Sequence, residues 1–576
     1  MEPQASLLPA AVVLTPAVTS LLIVLTRRSP NLRDSILVAG AVVTFVLIVA
    51  ITPAAFRGEA LSSPLGELIP GVPLSLTADA MGMIFALLAS FLWVLAGFYA
   101  VGYMRGDKAT NQTRFYAFYA LCLSTAFAVA FAGDLLTFFI AYELLTVTTY
   151  PLVTHKGDAK AIRAGRTYLG YLLSGGVLVL FALIIVFATT GQLTFEAGGF
   201  VAGHMGPGMT ILVFALFAIG FGTKAGLMPL HAWLPGAMVA PTPVSALLHA
   251  VAVVKGGVFA VGRAVGFVMG PAALADIGIQ TALSAVAGAT ILMASIIALR
   301  QDHLKRRLAY STIAHLAYIV LGFSLFAPTA FEGALLHIVN HGALKITLFF
   351  CAGAIHIAAH KDHVSELDGI GRKMPFTMVA FAVASYGLAG LPPMGGFLSK
   401  WHLVLGALEA GQPVFAAIMV GSGLLTAGYL FPIVYRAFFK APPERAAPAA
   451  DTRPAPVGTS DASSDGLDVE VVPSGTATAT LTRTPDTEPG TPGGQPDDDH
   501  RVDAHERSDE DEDDRSVEDP VDHHYDDHVD HGEASPLMVV PLCVTAAAGL
   551  LLGMGDLTGI YELAARVGTA VAGGGP

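Results

Sequence analysis

Lys224-Ala225-Gly226-Leu227-Met228-Pro229-Leu230-His231-Ala232-Trp233-Leu234-Pro235 closes an apolar run long enough to cross a bilayer, and it sets a charge, a histidine and two prolines inside that run. A proline within a helix lacks the backbone donor and clashes with the carbonyl four residues earlier, so Pro229 predicts a break just after Lys224. Non-helical backbone at membrane depth is tolerated only against protein or water. An ammonium there costs about 3 kcal/mol or more, so it faces the protein interior and marks an ion path by default. A carboxylate that approaches or recedes changes the lysine's hold on its proton.

Working outward, the same combination recurs at Gly390-Leu391-Pro392-Pro393-Met394-Gly395-Gly396-Phe397-Leu398-Ser399-Lys400. Interrupted apolar segments at corresponding places in two halves are the sequence sign of inverted repeats around a midplane site. Pro229, Pro235, Pro392 and Pro393 are therefore read as helix breaks. Lys224 precedes its break and Lys400 follows the other, so the two sites are analogous without being equivalent.

Other charged and polar residues lie in neighbouring apolar spans. Glu143, with Thr146 and Tyr150 at i+3 and i+7, gives its helix a polar stripe. Pro241-Thr242-Pro243 opens a span carrying Ser245, His249 and Lys255; as one helix, His249 and Lys255 stand about 120° apart, whereas Ser245 and His249 share a face. His337, His341 and Lys345 recur at i, i+4 and i+8 beside Asn340, and His315 with Ser311 and Tyr318 forms a weaker stripe one span earlier. Histidine titrates near neutral pH, so such a stripe can relay protons. Alone, His249 reads equally well as a hydrogen-bonded core histidine.

Composition supports a polytopic membrane protein: 54% hydrophobic and 13% charged, with mean hydropathy +0.63. Apolar stretches of about 20 residues suffice to span the hydrocarbon core. Fourteen are expected, at roughly 6–26, 34–54, 78–103, 112–132, 134–154, 166–190, 209–238, 242–266, 277–299, 306–327, 332–358, 376–409, 413–439 and 537–557. The expected fold is an all-α polytopic membrane protein of about 14 transmembrane helices, with two inverted five-helix repeats at about 112–266 and 277–439, each containing a broken helix. The N-terminus lacks a basic region, so the first run is read as a retained span. Cys122, Cys351 and Cys543 lie singly within spans, giving no disulfide framework or metal signature.

Alternate loops carry the basic residues, from Arg27, Arg28 and Arg33 through Lys156, Lys160, Arg163 and Arg166 to Arg436 and Lys440. The other side holds little beyond Arg57, Arg263 and Arg566. This asymmetry predicts a cell-membrane protein with the basic loops in the cytoplasm and both termini outside. Domain boundaries follow: a membrane domain at 1–440, an acidic His-rich segment at 441–535, and a final span with a C-terminal tail at 536–576. The middle segment holds 26 acidic and 6 basic residues, a net of −20 against −13 for the whole chain, and is read as a disordered cytoplasmic loop. Its His500, His505, His523, His524, His528 and His531 could meet transition metals, but no fixed ligand geometry is implied and no metal site is assigned.

These motifs together resemble the antiporter-like, proton-translocating subunits shared by respiratory complex I and the Mrp-type multisubunit Na+/H+ antiporters. The resemblance covers nearly the whole chain except the acidic segment. It rests on the Glu143 span, Lys224–Pro235, Ala240-Pro241-Thr242-Pro243-Val244-Ser245-Ala246-Leu247 and Gly390–Phe397. It implies a Glu143–Lys224 pair, a central Lys255, a relay through His337, His341 and Lys345, and a terminal Lys400. Within the family the lysine at the terminal position, and an end soon after the last span without a long lateral helix, resemble the D subunit of the Mrp antiporter. A proton-pumping subunit of a complex I-like or membrane-hydrogenase complex is the alternative. The resemblance implies an ion-transporter subunit with no redox centre or cofactor of its own. Its partners would be H+, Na+, the lipid bilayer and other membrane subunits, with no nucleic acid.

Overall fold

The computed structural model describes residues 3–69, 72–442, 532–556 and 558–572. The acidic segment and its histidines therefore lie outside the described residues, apart from the ends of the 441–535 stretch. The helices, in chain order, are α1 Leu8–Leu25, α2 Pro30–Phe56, α3 Ala80–Gly106, α4 Gln112–Phe131, α5 Leu135–Val153, α6 Ala159–Thr190, α7 Pro207–Ala225, α8 Trp233–Gly236, α9 Thr242–Ala250 and α10 Val253–Arg263. There follow α11 Pro271–Asp276, α12 Gln280–Arg300, α13 Leu304–Ser324, α14 Pro328–Ala359, α15 Pro375–Ala389, α16 Gly395–Glu409, α17 Pro413–Phe439, α18 Pro536–Leu551 and α19 Ile560–Val571.

Their starts follow from local chemistry. Asp79, Asp134 and Asp158 cap α3, α5 and α6, each accepting a backbone N–H with its carboxylate. Proline opens α2, α7, α14, α15, α17 and α18, where the missing donor costs nothing.

Among the described residues eleven helices are long and apolar enough to cross a membrane. The other three expected spans fall on α13, whose first turn carries Lys305, Arg306 and Arg307, on the interrupted pair α15 and α16, and on the shorter α18. Thr242–Met269 is wholly buried at the centre. By contrast α1, α6 and α17 leave Leu14, Leu21, Phe181, Ile184, Val420 and Leu424 exposed, as lipid-facing surfaces require. The hub is α14, packed against α3, α9, α13, α15, α16, α18 and α19.

Four features refine the sequence reading or depart from it. The run 209–238 is helical only to Ala225; beyond it the chain is irregular apart from α8 and one 3-10 turn at Ala237–Val239. The eighth span is two helices, interrupted at Val251 and Ala252, so the 120° relation between His249 and Lys255 does not apply. It ends in a π-helix, Ala264–Met269. The third departure is a small sheet of β1 Gln4–Ala5, β2 Leu61–Ile69 and β3 Val72–Ala78, with β1 parallel and β3 antiparallel to β2. Finally, the tail contains an amphipathic helix, α19, burying Ile560, Leu563, Ala564, Val567 and Val571 against α3 and α14.

Candidate functional site: a buried lysine and histidine path

Both expected breaks occur where proline and glycine placed them. Gly226 and Gly390 end α7 and α15 with φ of 74° and 86°, a left-handed turn that glycine enters without penalty. At the first break the Trp233 indole donates to the Thr223 carbonyl at 2.9 Å, which also accepts the Gly226 N–H at 3.1 Å in the turn that closes α7. His231 is half-buried on the irregular connection, its Nδ1 without a partner among the described residues.

Lys224 is 1% exposed. Its Nζ donates to the Tyr142 carbonyl at 2.6 Å and stands 3.2 Å from the centroid of the Tyr142 ring. Glu143 is the next residue along α5. No direct ion pair joins the two; the lysine is held by the backbone and ring beside the carboxylate. Gly176 of α6 faces Glu143 so closely that any Cβ there would meet the carboxylate. Glu143 Oε1 is buried without a partner among the described residues.

Lys255 is fully buried, just past the Val251–Ala252 interruption, and its Nζ lies 2.9 Å from His341 Nδ1. The His341 ring stacks on His315 at a centroid separation of 5.3 Å. His315 Nδ1 is 3.1 Å from His337 Nε2, and His337 Nδ1 is 2.9 Å from the Ser399 hydroxyl. A single file thus runs Lys255, His341, His315, His337, Ser399. Its one step without a direct hydrogen bond lies between His341 and His315, where the Nε2 atoms of both rings are unpartnered among the described residues. Ring rotation or a shared water would complete it. The three rings stack on one another at interplanar angles of 14–28°.

Lys400 follows Ser399 and reaches back across the second break. Its Nζ donates to Leu388 and Ala389 carbonyls at 2.7 and 3.3 Å, capping α15 from outside. It also lies 5.1 Å from the Tyr318 ring, which packs on both His315 and His337.

Two expected members stand off this file. Lys345 turns away and donates to Ser311 Oγ at 2.7 Å; Ser311 continues to Tyr429 OH at 2.9 Å and Thr426 at 3.2 Å. His249 stacks on Phe349 with both ring nitrogens unpartnered among the described residues. The sequence reading missed Ser311 and Ser399 as partners, although each lies beside or in register with a residue it singled out. It also missed two contacts between charged or titratable side chains of different helices. Arg263, read as a loop residue, is 2% exposed at the end of α10 and holds Asp79 through two hydrogen bonds of 2.5 and 2.7 Å. Glu332 of α14 meets His402 of α16 at 3.5 Å, two residues beyond Lys400. Nothing in the local sequence links either pair, because each joins helices far apart in the chain.

These features define a polytopic membrane protein with a file of titratable side chains buried through its centre. Residues 132–426 match the family described as NADH:quinone oxidoreductase/Mrp antiporter, TM, and the chain belongs to that family. It is 35% identical over 458 residues to NADH-quinone oxidoreductase subunit N of Desulforudis audaxviator (strain MP104C), covering 78% of this chain and 90% of that protein. It is 32% identical over 419 residues to the A/B subunit of the probable K(+)/H(+) antiporter of Rhizobium meliloti (strain 1021), covering 70% of this chain and 40% of that one. In fold it is similar to a chain in the structure of the Mrp complex from Dietzia sp. DQ12-45-1b, with a TM-score of 0.75, 21% identity and 98% of each chain covered. The membrane-bound sulfane sulfur reductase, an archaeal respiratory membrane complex, gives a TM-score of 0.68 at 22% identity, covering 77% of this chain and 91% of that one.

Proposed function

We propose that this chain is the proton-translocating membrane subunit of a multisubunit Na+/H+ antiporter in the cell membrane, with its basic loops in the cytoplasm. The observation that carries the reading is the buried file from Lys255 through His341, His315 and His337 to Ser399, flanked by Lys224 beside Glu143 and by Lys400. Protonation or release at Glu143 and Lys224 biases Lys255 electrostatically. The histidines carry the bias towards Lys400, while Lys345 and the Ser311–Tyr429 branch offer a second arm. Like charges brought together favour release of a proton, and a carboxylate brought close favours its return. A break at the fourth span of each five-helix half supports the inverted-repeat arrangement proposed for residues 112–266 and 277–439.

A second reading has its own support. The likeness to an NADH-quinone oxidoreductase subunit over nine-tenths of that protein favours the same proton machinery inside a redox-driven complex. Proton flux in inverted vesicles carrying the complete assembly separates the two. Sodium-driven flux that vanishes in assembled Glu143→Ala and Lys224→Ala variants supports the antiporter. Flux that needs an electron donor transfers the same path to a respiratory complex. Unchanged flux in both variants would refute the Glu143–Lys224 step.

A further inference from the structure

A cavity of about 490 Å³ opens where α6 and α13 begin, walled on one side by the Pro235–Pro241 connection. Lys156, Lys160, Arg163, Lys305 and Arg306 line it, together with two carboxylates, Asp158 and Asp362. Both carboxylates are engaged. Asp158 accepts the Ala161 N–H at 2.6 Å as the cap of α6, and Asp362 lies 3.0 Å from His356 Nδ1. None of the five cations has an ion pair or side-chain hydrogen bond among the described residues.

Unpaired like charges around one cavity repel one another, and a small cation entering it would add to that repulsion. The opposite sign of ligand relieves it. Two helices, α6 and α13, also begin at this cavity, so the positive ends of their dipoles add to the same field. Arginine and lysine together offer forked and point-like donors of the kind that bind phosphate oxygens. The site lies at the starts of α6 and α13, on the side that the basic-residue asymmetry predicts to be cytoplasmic, where anionic headgroups would stand in that topology.

From the unpaired cations and the paired helix starts, we infer that this cavity is a binding site for a phosphate-bearing anion, supplied by the headgroup of an anionic phospholipid. The Pro235–Pro241 wall joins α8 to α9, so an occupied headgroup braces the segment between the first break and the helix bearing His249. No residue of the buried file lines this cavity.

The test uses the full chain in its assembly, placed in nanodiscs of mixed phosphatidylcholine and phosphatidylglycerol, with retained lipid counted by native mass spectrometry. Wild type should retain phosphatidylglycerol over phosphatidylcholine by about tenfold or more. The Lys156→Gln/Arg163→Gln/Arg306→Gln variant should lose that preference. An Arg27→Gln/Arg28→Gln/Arg372→Gln variant, which removes equal charge from the same face outside the cavity, should keep it. Displacement of the lipid by excess inorganic phosphate would confirm the phosphate site and reassign its source to a soluble anion. Equal enrichment in wild type and the cavity variant, or equal loss in both variants, would overturn the proposal.

Discussion

Lys255 and His341 share one hydrogen bond at 2.9 Å, and most of the proposed transport depends on that contact. Groups in one network couple, so their deletions are not additive. Lys255→Gln and His341→Ala should each reduce proton flux to near the leak level while the subunit still assembles. The double variant should be no worse than either single one. Independent, multiplying losses would show that the two act separately. Ser399→Ala removes one hydrogen bond of about 1 kcal/mol at the far end of the file and should slow flux roughly fivefold without abolishing it. The sequence made the side chains on α14 legible, because packing alone seldom places titratable groups four residues apart in an apolar helix. Partner choice was not legible. Lys345 continues the stripe in sequence yet bonds Ser311, whereas His315, from the weaker stripe one span earlier, sits between His341 and His337. Which neighbouring helix offers a hydroxyl or a ring is a property of packing.

The breaks at Gly226 and Gly390 were readable from proline and glycine, whereas the one at Val251 and Ala252 has neither residue. Its backbone is set by the surrounding helices, so no local signal announced it. The β2–β3 hairpin was hidden for a different reason: Pro64 and Gly66 make its first strand read as a connection. At the second break, Gly390→Ala would force a side chain into a left-handed conformation beside the Lys400 stem. The expected cost is about 1–2 kcal/mol, read as a lowered Tm of the purified assembly. An unchanged Tm would mean the turn relaxes freely. On the loop entering α13, burial pushes the His303 imidazole down to about 4, with Lys305 adding to the effect. The unfolded chain binds that proton near pH 6.5 and the folded chain only near 4, so stability falls as pH drops through this window. Thermal melts from pH 7 to 4 should show a steeper decline for wild type than for His303→Gln. Parallel declines would remove His303 from the account.

For the whole molecule, the asymmetry of basic loops predicts a topology that labelling can check. Lys108→Cys, between α3 and α4, should react with an impermeant thiol reagent only from the cytoplasm, and His204→Cys, between α6 and α7, only from outside. Labelling of both from one side would contradict the alternation of spans. Eleven of the fourteen expected spans were legible because length and apolarity suffice for them, and the family match covers the file from Glu143 to Lys400, though not Tyr429 of the second arm. How α14 gathers seven neighbours around its histidines was not, since that arrangement arises only when the helices assemble. The central claim is that protons cross through the stacked histidines. Its most direct test is proton flux in vesicles carrying the complete assembly with His315→Ala and His337→Ala combined. Subunit content would be verified by blotting, and flux driven both by a cation gradient and by an electron donor. Flux at the leak level under both driving forces, with normal subunit content, is the predicted result; wild-type flux under either would contradict it.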